Sequence, residues 1–513
     1  MVVGWDYSGS SFKTGATAAY TFTRHKEVID ADQLDNDQVK GPSTKISYSE
    51  VQRHQSVADC WVLLNGCVYD VTEFLKIHPG GPHAILAEAG TDASEQFPLL
   101  HPSTALATLP PECCIGQIDE TTLPEPDSTT SETATKLQTL QTTIPPVETF
   151  LLLQDFEDWA QRVLTDTAWA YYRSAADEER TFHENRDAFR RYFFRPRILR
   201  DTSYGSTEKS FLGISSSMPV FISPTAMAKL GHPLGEVNLT RAAGEVAVVQ
   251  MVSSNASCSL EDIVDAQDDD QALMFQLYLN KDRSASEALI RKAERLGFKA
   301  IVCTVDVAWE SKRTLDVRCK TAMLPPTSTA SAGSNTVKNG AGVAQTIGGY
   351  QDRNLTWNDI AFIQKNTTLP IISKGVQCVE DSNHGGRQAD YAPAPIDLLY
   401  EIRVLRPDLF SKIDILIDGG VRCGADVVKA LAMGAKAVGV GRPVLYANGT
   451  HGEEGVRRVM EILHEEITNT MRNIGARRVE DLRPEIMMVG PAGPWVGGFG
   501  LGYARGVGDG EGK

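Results

Sequence analysis

Short runs of consecutive apolar residues recur between residues 219 and 440, and most are followed by a stretch with helical spacing. Continuous runs rich in β-branched residues are typical of parallel strands that are buried on both faces. They predict seven strands, at Pro219–Ile222, Val248–Met251, Leu273–Tyr278, Ala300–Val305, Leu369–Ile372, Ile413–Ile417 and Ala437–Val440. Amphipathic segments such as Ser284–Leu296 and Ala425–Met433 predict helices between them. This alternation predicts a β/α barrel, whose active site would lie at the C-terminal ends of the strands.

A separate segment, residues 46–118, contains two histidines 23 residues apart, His78 and His101, each followed by a proline. Strand-like residues 61–64 and 68–74 precede them, and helix-compatible residues 83–88 lie between them. Gly80 and Gly81 permit a tight turn that would aim the first imidazole ring. Two imidazoles on opposite faces of an iron would hold a b-type haem. Two surface histidines beside prolines are the alternative, but the motifs around them favour haem.

Composition narrows the class of protein. A chain of 513 residues is long enough for about three domains at roughly 150 residues each. A formal net charge of −16 argues against nucleic acids and anionic membrane surfaces, and it suits a basic partner. The nine cysteines are scattered without a paired spacing, which indicates reduced thiols rather than a disulfide framework or a zinc site. No apolar run reaches the 18 residues expected of a membrane span.

Composition also predicts the domain boundaries. Residues 1–45 are expected to form a disordered N-terminal tail, although Ser- and Thr-rich residues 8–26 leave an organelle-import sequence as an alternative. Residues 46–118 form the first domain and residues 147–489 the barrel. Residues 119–146, rich in Thr, Ser, Glu and Pro, cannot bury enough surface to order themselves and predict a semi-flexible linker. Gly-rich residues 490–513 predict a disordered C-terminal tail.

The motifs resemble two known families. Residues 46–118 resemble cytochrome b5, and residues 147–485 resemble the FMN-dependent 2-hydroxy-acid dehydrogenases and oxidases. The sharpest motifs of the second family are Trp169-Ala170-Tyr171-Tyr172, Ser382–Gln388, Asp418–Arg422 and Gly439–Pro443. Together the two parts are similar to the flavocytochrome b2 family of L-lactate dehydrogenases. The resemblance implies a multidomain fold, with a small α+β cytochrome b5-like haem domain followed by an FMN-binding (β/α)8 TIM barrel.

The resemblance implies a set of catalytic residues. They are Tyr171, Tyr278, Asp306, Arg313, His384 and Arg387. His384 would be the base that removes a proton, and Asp306 would stabilise the imidazolium that forms. Arg387 offers a planar fork for the substrate carboxylate, with Tyr171 as a further donor and the other arginine as a second cation. Tyr278 would hydrogen-bond the substrate hydroxyl.

The resemblance also implies two cofactors, FMN and haem b. His78 and His101 would both ligate the haem iron and leave no open coordination position, which favours electron transfer over oxygen chemistry. Lys374 would stabilise negative charge at N1 and O2 of the reduced flavin. Contacts to the flavin ring would come from Pro224, Thr225, Ala226, Ser253, Gln276 and Thr304. The phosphate would lie in the last two barrel loops, at Asp418, Gly419, Gly420, Arg422, Gly441 and Arg442.

One spacing departs from the family. His384 follows Lys374 by only 10 residues, whereas a parallel crossover needs a dozen or more and a returning strand about five more. The sequence therefore predicts a barrel that lacks one helix–strand unit, with two strands left unpaired at their edges and His384 on a loop. We expect such a barrel to be destabilised and to turn over poorly.

The expected reaction is oxidation of a lactate-like L-2-hydroxy acid to the 2-oxo acid, with electrons passing from FMN to haem and then to cytochrome c. A haem-binding electron carrier with an inactive barrel is the alternative, and a binding protein without haem is a third. Asn255 lies where the lactate enzymes of the family carry an apolar residue, which indicates a larger or more polar substrate side chain. The resemblance implies the mitochondrial intermembrane space, with the cytoplasm as alternative, and leaves a homo-oligomer open.

Overall fold

The computed structural model describes residues 2–5, 44–78, 82–86, 88–102, 104–124, 140–307, 309, 311–322, 343, 349–376 and 384–490. Gly80 and Gly81, the centre of the expected linker and nearly all of the C-terminal tail lie outside these residues. The predicted linker, tail and first histidine turn therefore stay predictions.

The strands and helices of the described residues follow in chain order. The strands are β1 (Val2–Trp5), β2 (Lys45–Ile46), β3 (Gln55–Ser56), β4 (Asp59–Leu64), β5 (Cys67–Asp70), β6 (Cys114–Ile118), β7 (Tyr192–Phe194), β8 (Lys209–Phe211), β9 (Ile214–Ser216), β10 (Val220–Thr225), β11 (Val249–Ser253), β12 (Leu273–Leu277), β13 (Ile301–Thr304), β14 (Ile371–Lys374), β15 (Asp414–Asp418), β16 (Ala437–Val440) and β17 (Met487–Val489). The helices are Tyr48–Val51, Pro82–Leu86, Phe97–Leu100, Leu153–Val163, Asp166–Arg173, Arg180–Asp187, Glu236–Glu245, Leu260–Asp265, Arg283–Arg295, Thr314–Ala322, Trp357–Asn366, Pro395–Leu405, Gly424–Ala432 and Arg442–Asn473.

The first domain is built on a five-stranded sheet in the order β2-β6-β5-β4-β3. Strands β4 and β5 form a hairpin closed by Asn65 and Gly66, both with positive φ, as a two-residue hairpin turn requires. Apolar side chains from both strands, including Val62 and Tyr69, are buried against Leu75. The two histidines lie on the segment between β5 and β6, with His101 directly after helix Phe97–Leu100.

The second domain is a closed barrel in the order β1-β14-β13-β12-β11-β10-β16-β15. All seven predicted strands are confirmed as β10 to β16, and wherever two of them pair, they pair in parallel. Apolar side chains such as Phe221, Met274 and Leu416 fill the interior because each strand is buried on both faces. The predicted helices also form, at Arg283–Arg295 and Gly424–Ala432.

The barrel closes where the sequence predicted two open edges, so that expectation was wrong. Strand β1 lies antiparallel between β14 and β15, with Val2 opposite Lys374 on one side and Leu416 on the other. Residues 2–5 therefore belong to the barrel and not to a disordered tail. Unpaired N–H and C=O groups on two facing edges favour any extended segment that can reach them. An antiparallel segment from elsewhere in the chain needs no crossover helix, which is the element that the short spacing cannot supply.

Helix Phe97–Leu100 of the first domain lies against the barrel domain. Helix Phe97–Leu100 contacts the 3-10 turn Ala228–Leu230, which follows β10, and Leu100 packs against the barrel core. The contact places the helix that precedes His101 beside the C-terminal end of a barrel strand. In the part of the chain described, no helix has both the length and the hydropathy to cross a bilayer.

Candidate functional site

One pocket lies at the C-terminal ends of the barrel strands. Sixteen of the nineteen residues predicted for the barrel site line it: Tyr171, Pro224, Thr225, Ala226, Ser253, Tyr278, Arg313, Lys374, His384, Arg387, Asp418, Gly419, Gly420, Arg422, Gly441 and Arg442. The remaining three, Gln276, Thr304 and Asp306, hydrogen-bond one another or lining residues.

His384 and Asp306 form a buried pair. The His384 Nδ1 atom lies 2.9 Å from Asp306 Oδ1, and the Asp306 side chain is 1% exposed. Burial lowers the pKa of His384, while Asp306 opposes that shift only in part. The imidazole is therefore neutral at pH 7, with Nδ1–H donating to Asp306 and Nε2 left as a proton acceptor.

The backbone around His384 explains how a loop holds this ring. His384, Gly385 and Gly386 all have positive φ, a conformation that glycine adopts without strain. A Cβ atom on Gly386 would lie 2.7 Å from the backbone nitrogen of Phe182. The Ala176 N–H donates to the Gly386 carbonyl at 3.0 Å and ties the turn to the barrel. His384 thus lies on a loop, as the short spacing predicted, but the loop is anchored.

Two half-buried arginines, Arg313 and Arg387, face the same space. Arg387 donates to the carbonyls of Tyr171 and Tyr172, and its guanidinium carbon lies 5.6 Å from the Tyr171 ring centroid. Burial, and secondly the charge of Arg387, lowers the pKa of Arg313 to about 10. Two neighbouring guanidinium groups favour an anion between them, because the anion would offset the cost of desolvating the two cations and the repulsion between them.

The other end of the pocket is also cationic. Arg442 donates through its three nitrogens to the carbonyls of Tyr172, Gly385 and Ser174 at 3.1–3.2 Å, and burial lowers its pKa well below the ordinary value. Arg422 pairs with Glu157, but its Nη1 is buried without a partner among the described residues.

A glycine-lined helix start adjoins these cations. Gly419 and Gly420 have φ of +98° and +81°, and a Cβ atom on Gly420 would lie 1.9 Å from the carbonyl oxygen of Asn185. The first residues of helix Arg442–Asn473 line the same pocket, so the positive end of the helix dipole adjoins it. Excess cations, a glycine cradle and a helix N-terminus fit a phosphate, so this end suits the phosphate of FMN.

Lys374 is buried and remains charged. Its Nζ atom lies 3.2 Å from Asp418 Oδ2, which also accepts a 3.3 Å hydrogen bond from Ser223. Burial lowers the pKa of Lys374, but Asp418 and then Asp306 outweigh that effect and hold it above its usual value. A fixed ammonium group in a buried site fits the need of a reduced flavin for a nearby positive charge.

Sequence reasoning missed part of the pocket wall. Gln351 lines the pocket, and the Tyr350 hydroxyl donates to the Asn255 side chain at 2.6 Å. Gln351 forms an antiparallel bridge with Asn280, beyond the end of β12, and this bridge fixes both residues. No motif marks these two residues, and only pairing with a distant segment brings them to the site.

His78 and His101 face each other in the first domain, with ring centroids 5.9 Å apart. Two metal–nitrogen bonds of about 2 Å, plus about 1 Å within each ring, span roughly that distance. His101 Nδ1 lies 3.1 Å from the Phe97 carbonyl, which leaves Nε2 for a metal. Burial lowers the pKa of His101 and favours the neutral ring that metals bind. The pair therefore fits an iron held on two opposite faces.

Comparison with known proteins gives two family matches. The model described as FMN-dependent dehydrogenase matches residues 160–489, and that of the cytochrome b5-like heme/steroid binding domain matches residues 47–119.

Individual relatives agree with both matches. The chain is 40% identical over 454 residues to the L-lactate dehydrogenase (cytochrome) of Wickerhamomyces anomalus, covering 85% of this chain and 78% of the relative. It is 39% identical over 484 residues to that of Saccharomyces cerevisiae, covering 89% and 82%. A solved mutant flavocytochrome b2 with pyruvate bound superposes with a TM-score of 0.64 at 38% identity, over 70% of this chain and 91% of that one.

Proposed function

The chain belongs to the FMN-dependent dehydrogenase family, and from that premise we propose that it oxidises an L-2-hydroxy acid, such as L-lactate, to the 2-oxo acid. The barrel binds FMN, and the cytochrome b5-like domain binds haem. The observation that carries the proposal is the His384–Asp306 pair, which lies at one pocket with two half-buried arginines and a charged lysine.

The arginines bind and orient the substrate. Arg313 and Arg387 lie at one side of the pocket, where a substrate carboxylate would neutralise two desolvated cations at once. Burial, and secondly Asp306, raises the pKa of the Tyr278 phenol, so its hydroxyl stays protonated and donates to the substrate oxygen. Carboxylate and hydroxyl would then be fixed together, which sets the handedness of the acid that fits.

His384 moves the proton. Its Nε2 atom accepts a proton from the substrate, and Asp306 stabilises the imidazolium through the 2.9 Å contact at Nδ1. FMN supplies the acceptor for the two electrons that leave the substrate. Lys374 would hold a positive charge beside that acceptor, while Arg422, Arg442 and the glycine cradle would bind the FMN phosphate.

The haem domain would transfer the electrons to an external acceptor. His78 and His101 would hold the haem iron, and the haem would supply one-electron transfer. The net charge of −16 suits cytochrome c, a basic protein, as the external acceptor. The alternative of an inactive barrel attached to an electron carrier is not favoured, because the catalytic and flavin-binding positions lie in one closed barrel.

Three further points belong to this proposal. By resemblance, we place the protein in the mitochondrial intermembrane space, which fractionation would test. We propose domain boundaries at residues 46–118 and 147–489. We also propose a homo-oligomer, which light scattering would test.

Paired variants test the proposed function. With L-lactate, His384→Gln is expected to lose reduction of both flavin and cytochrome c, because the proton acceptor is gone. His101→Ala is the matched variant, and we expect it to keep flavin bleaching by L-lactate but to lose cytochrome c reduction. Full activity in His384→Gln, or cytochrome c reduction unchanged in His101→Ala, would refute the proposal.

A further inference from the structure

The pocket wall beside Tyr278 is polar. Asn255 follows β11 and lines the pocket together with Gln351, and the Tyr278 N–H donates to the neighbouring Ser254 hydroxyl at 3.3 Å. Two carboxamides therefore adjoin the place where the substrate hydroxyl would bind. A site for a purely apolar side chain has no use for such groups, because buried polar atoms need partners.

The Asn255 amide has a fixed orientation. Its Oδ1 accepts a 2.6 Å hydrogen bond from the Tyr350 hydroxyl, and its backbone N–H donates to the Ser253 hydroxyl at 3.1 Å. Burial raises the pKa of Tyr350, so the phenol keeps the proton that it donates. With Oδ1 engaged, the two N–H groups on Nδ2 have no hydrogen bond within the described part of the chain.

Tyr350 itself is held from both sides. The Lys281 N–H donates to the Tyr350 carbonyl at 3.1 Å, and the Asp352 N–H donates to the Leu279 carbonyl at 2.8 Å. These bonds flank the bridge that joins Gln351 to Asn280. The segment that orients the Asn255 amide is thus fastened to the end of a barrel strand, and the donor does not depend on a free loop.

One group of the substrate, its side chain, can contact the polar wall beside Tyr278. In the proposed function, Arg313 and Arg387 bind the substrate carboxylate. Tyr278 and His384 bind its hydroxyl group. The substrate side chain on the same carbon is then the group left to contact the wall formed by Asn255 and Gln351. A methyl group there would displace water from the Asn255 N–H groups without replacing its hydrogen bonds. An oxygen on the side chain would accept from them, and sites built to hydrogen-bond an oxygen discriminate strongly against analogues that lack it.

We propose that this pocket selects L-2-hydroxy acids whose side chain carries a hydrogen-bond-accepting oxygen, a hydroxyl or a carboxylate, and that Asn255 is the donor that recognises it. The inference rests on the proposed function and names the substrate class of the same site. L-Lactate would be oxidised, but it would be a poorer substrate than an oxygenated acid of equal length.

Two substrate pairs test the selectivity of the FMN- and haem-loaded full chain. L-Lactate and L-glycerate differ by one hydroxyl, while L-2-hydroxybutyrate and L-malate differ by a methyl and a carboxylate. Anaerobic flavin reduction would give kcat/KM for each acid. We expect at least one oxygenated acid to exceed its apolar counterpart by about tenfold or more, which corresponds to one satisfied hydrogen bond. The pair that shows the larger ratio tells whether a hydroxyl or a carboxylate is recognised.

Asn255→Asp is the sharpest variant, because it keeps the size and the acceptor for Tyr350 but removes both N–H donors. We expect the oxygenated-to-apolar ratio to fall about tenfold or more, and Asn255→Leu to shift it the same way. Tyr350→Phe should give a smaller fall, because the amide loses its orientation but keeps its donors. A ratio near one in the unsubstituted protein, or the same ratio in all variants, overturns the inference.

Product binding separates this inference from the proposed function. Calorimetry with the oxidised protein compares pyruvate with 3-hydroxypyruvate and requires no turnover. Tighter binding of 3-hydroxypyruvate that is lost in Asn255→Asp supports the inference even if no acid reduces the flavin, an outcome that would refute the proposed function alone. Equal binding of the two oxo acids overturns the inference even if L-lactate is oxidised.

Discussion

Strand β1 should contribute directly to the stability of the barrel, and Val3→Pro tests this. Val2–Trp5 has a strand on each side, with four residue pairs to β14 and three to β15. Every N–H group in the middle of such a strand faces a neighbour, so proline at position 3 removes a ladder bond whichever side it faces. The lost bond leaves a carbonyl group of β14 or β15 without its donor.

The expected size follows from that unsatisfied group. Leaving one buried acceptor unpaired costs about 1–3 kcal/mol. Each kcal/mol moves the Tm of a domain of 150–250 residues by about 2–4 °C, so the barrel transition should fall by a few degrees. Opening the edges beside Lys374 and Asp418 should also weaken FMN retention, because β14 and β15 carry these two residues at their ends.

Thermal unfolding followed by circular dichroism and by released flavin fluorescence measures both effects. Val3→Ala is the matched control, because it changes the same side chain but keeps the N–H group. Deletion of residues 2–5 should destabilise the barrel in the same direction as the proline. If Val3→Pro, Val3→Ala and the deletion all melt and retain FMN like the unsubstituted chain, β1 does not complete the barrel.

Three other outcomes are expected. Asp306→Asn removes the charge that raises the pKa of His384, so the acidic limb of the kcat/KM profile should move to lower pH. The maximal kcat/KM should fall about 10²–10⁴-fold. An acidic limb that stays at the same pH would contradict the pairing of Asp306 with His384. Gly420→Ala should abolish FMN binding, because it places a Cβ atom 1.9 Å from the Asn185 carbonyl oxygen at a φ of +81°. Gly213→Ala is the matched control: its φ is +74°, but the space around it is open, so it should lower stability only modestly. Cytochrome c reduction should slow as salt rises, because a charge of −16 steers a basic partner; a rate independent of salt would exclude that partner surface.

The sequence predicted most of the barrel because its strands are unambiguous. Runs such as Ile301–Cys303 and Ile415–Ile417 are apolar and buried throughout, which is typical of a strand covered on both faces. The site residues followed from the family resemblance, and the structure brings Lys374 and Asp418 from two strand ends and His384 from a loop to the same pocket.

What the sequence could not predict depends on pairing between distant segments. Strand β1 has four residues, too few for any periodicity, and its partners lie more than 360 residues away. Nothing local shows that an antiparallel segment can occupy a place that a β/α barrel normally gives to a parallel strand. Tyr350 and Gln351 were missed for the same reason, because only the bridge to Asn280 brings them to the pocket.

The most direct test of a closed, working barrel is the anaerobic visible spectrum of the purified chain before and after addition of L-lactate and L-glycerate. We predict about one FMN per haem, bleaching of the flavin on addition of either acid, and sharpening of the haem bands to the reduced form. Haem without flavin, or flavin that neither acid reduces, would contradict the proposal that the barrel completed by β1 binds FMN and delivers electrons to the haem.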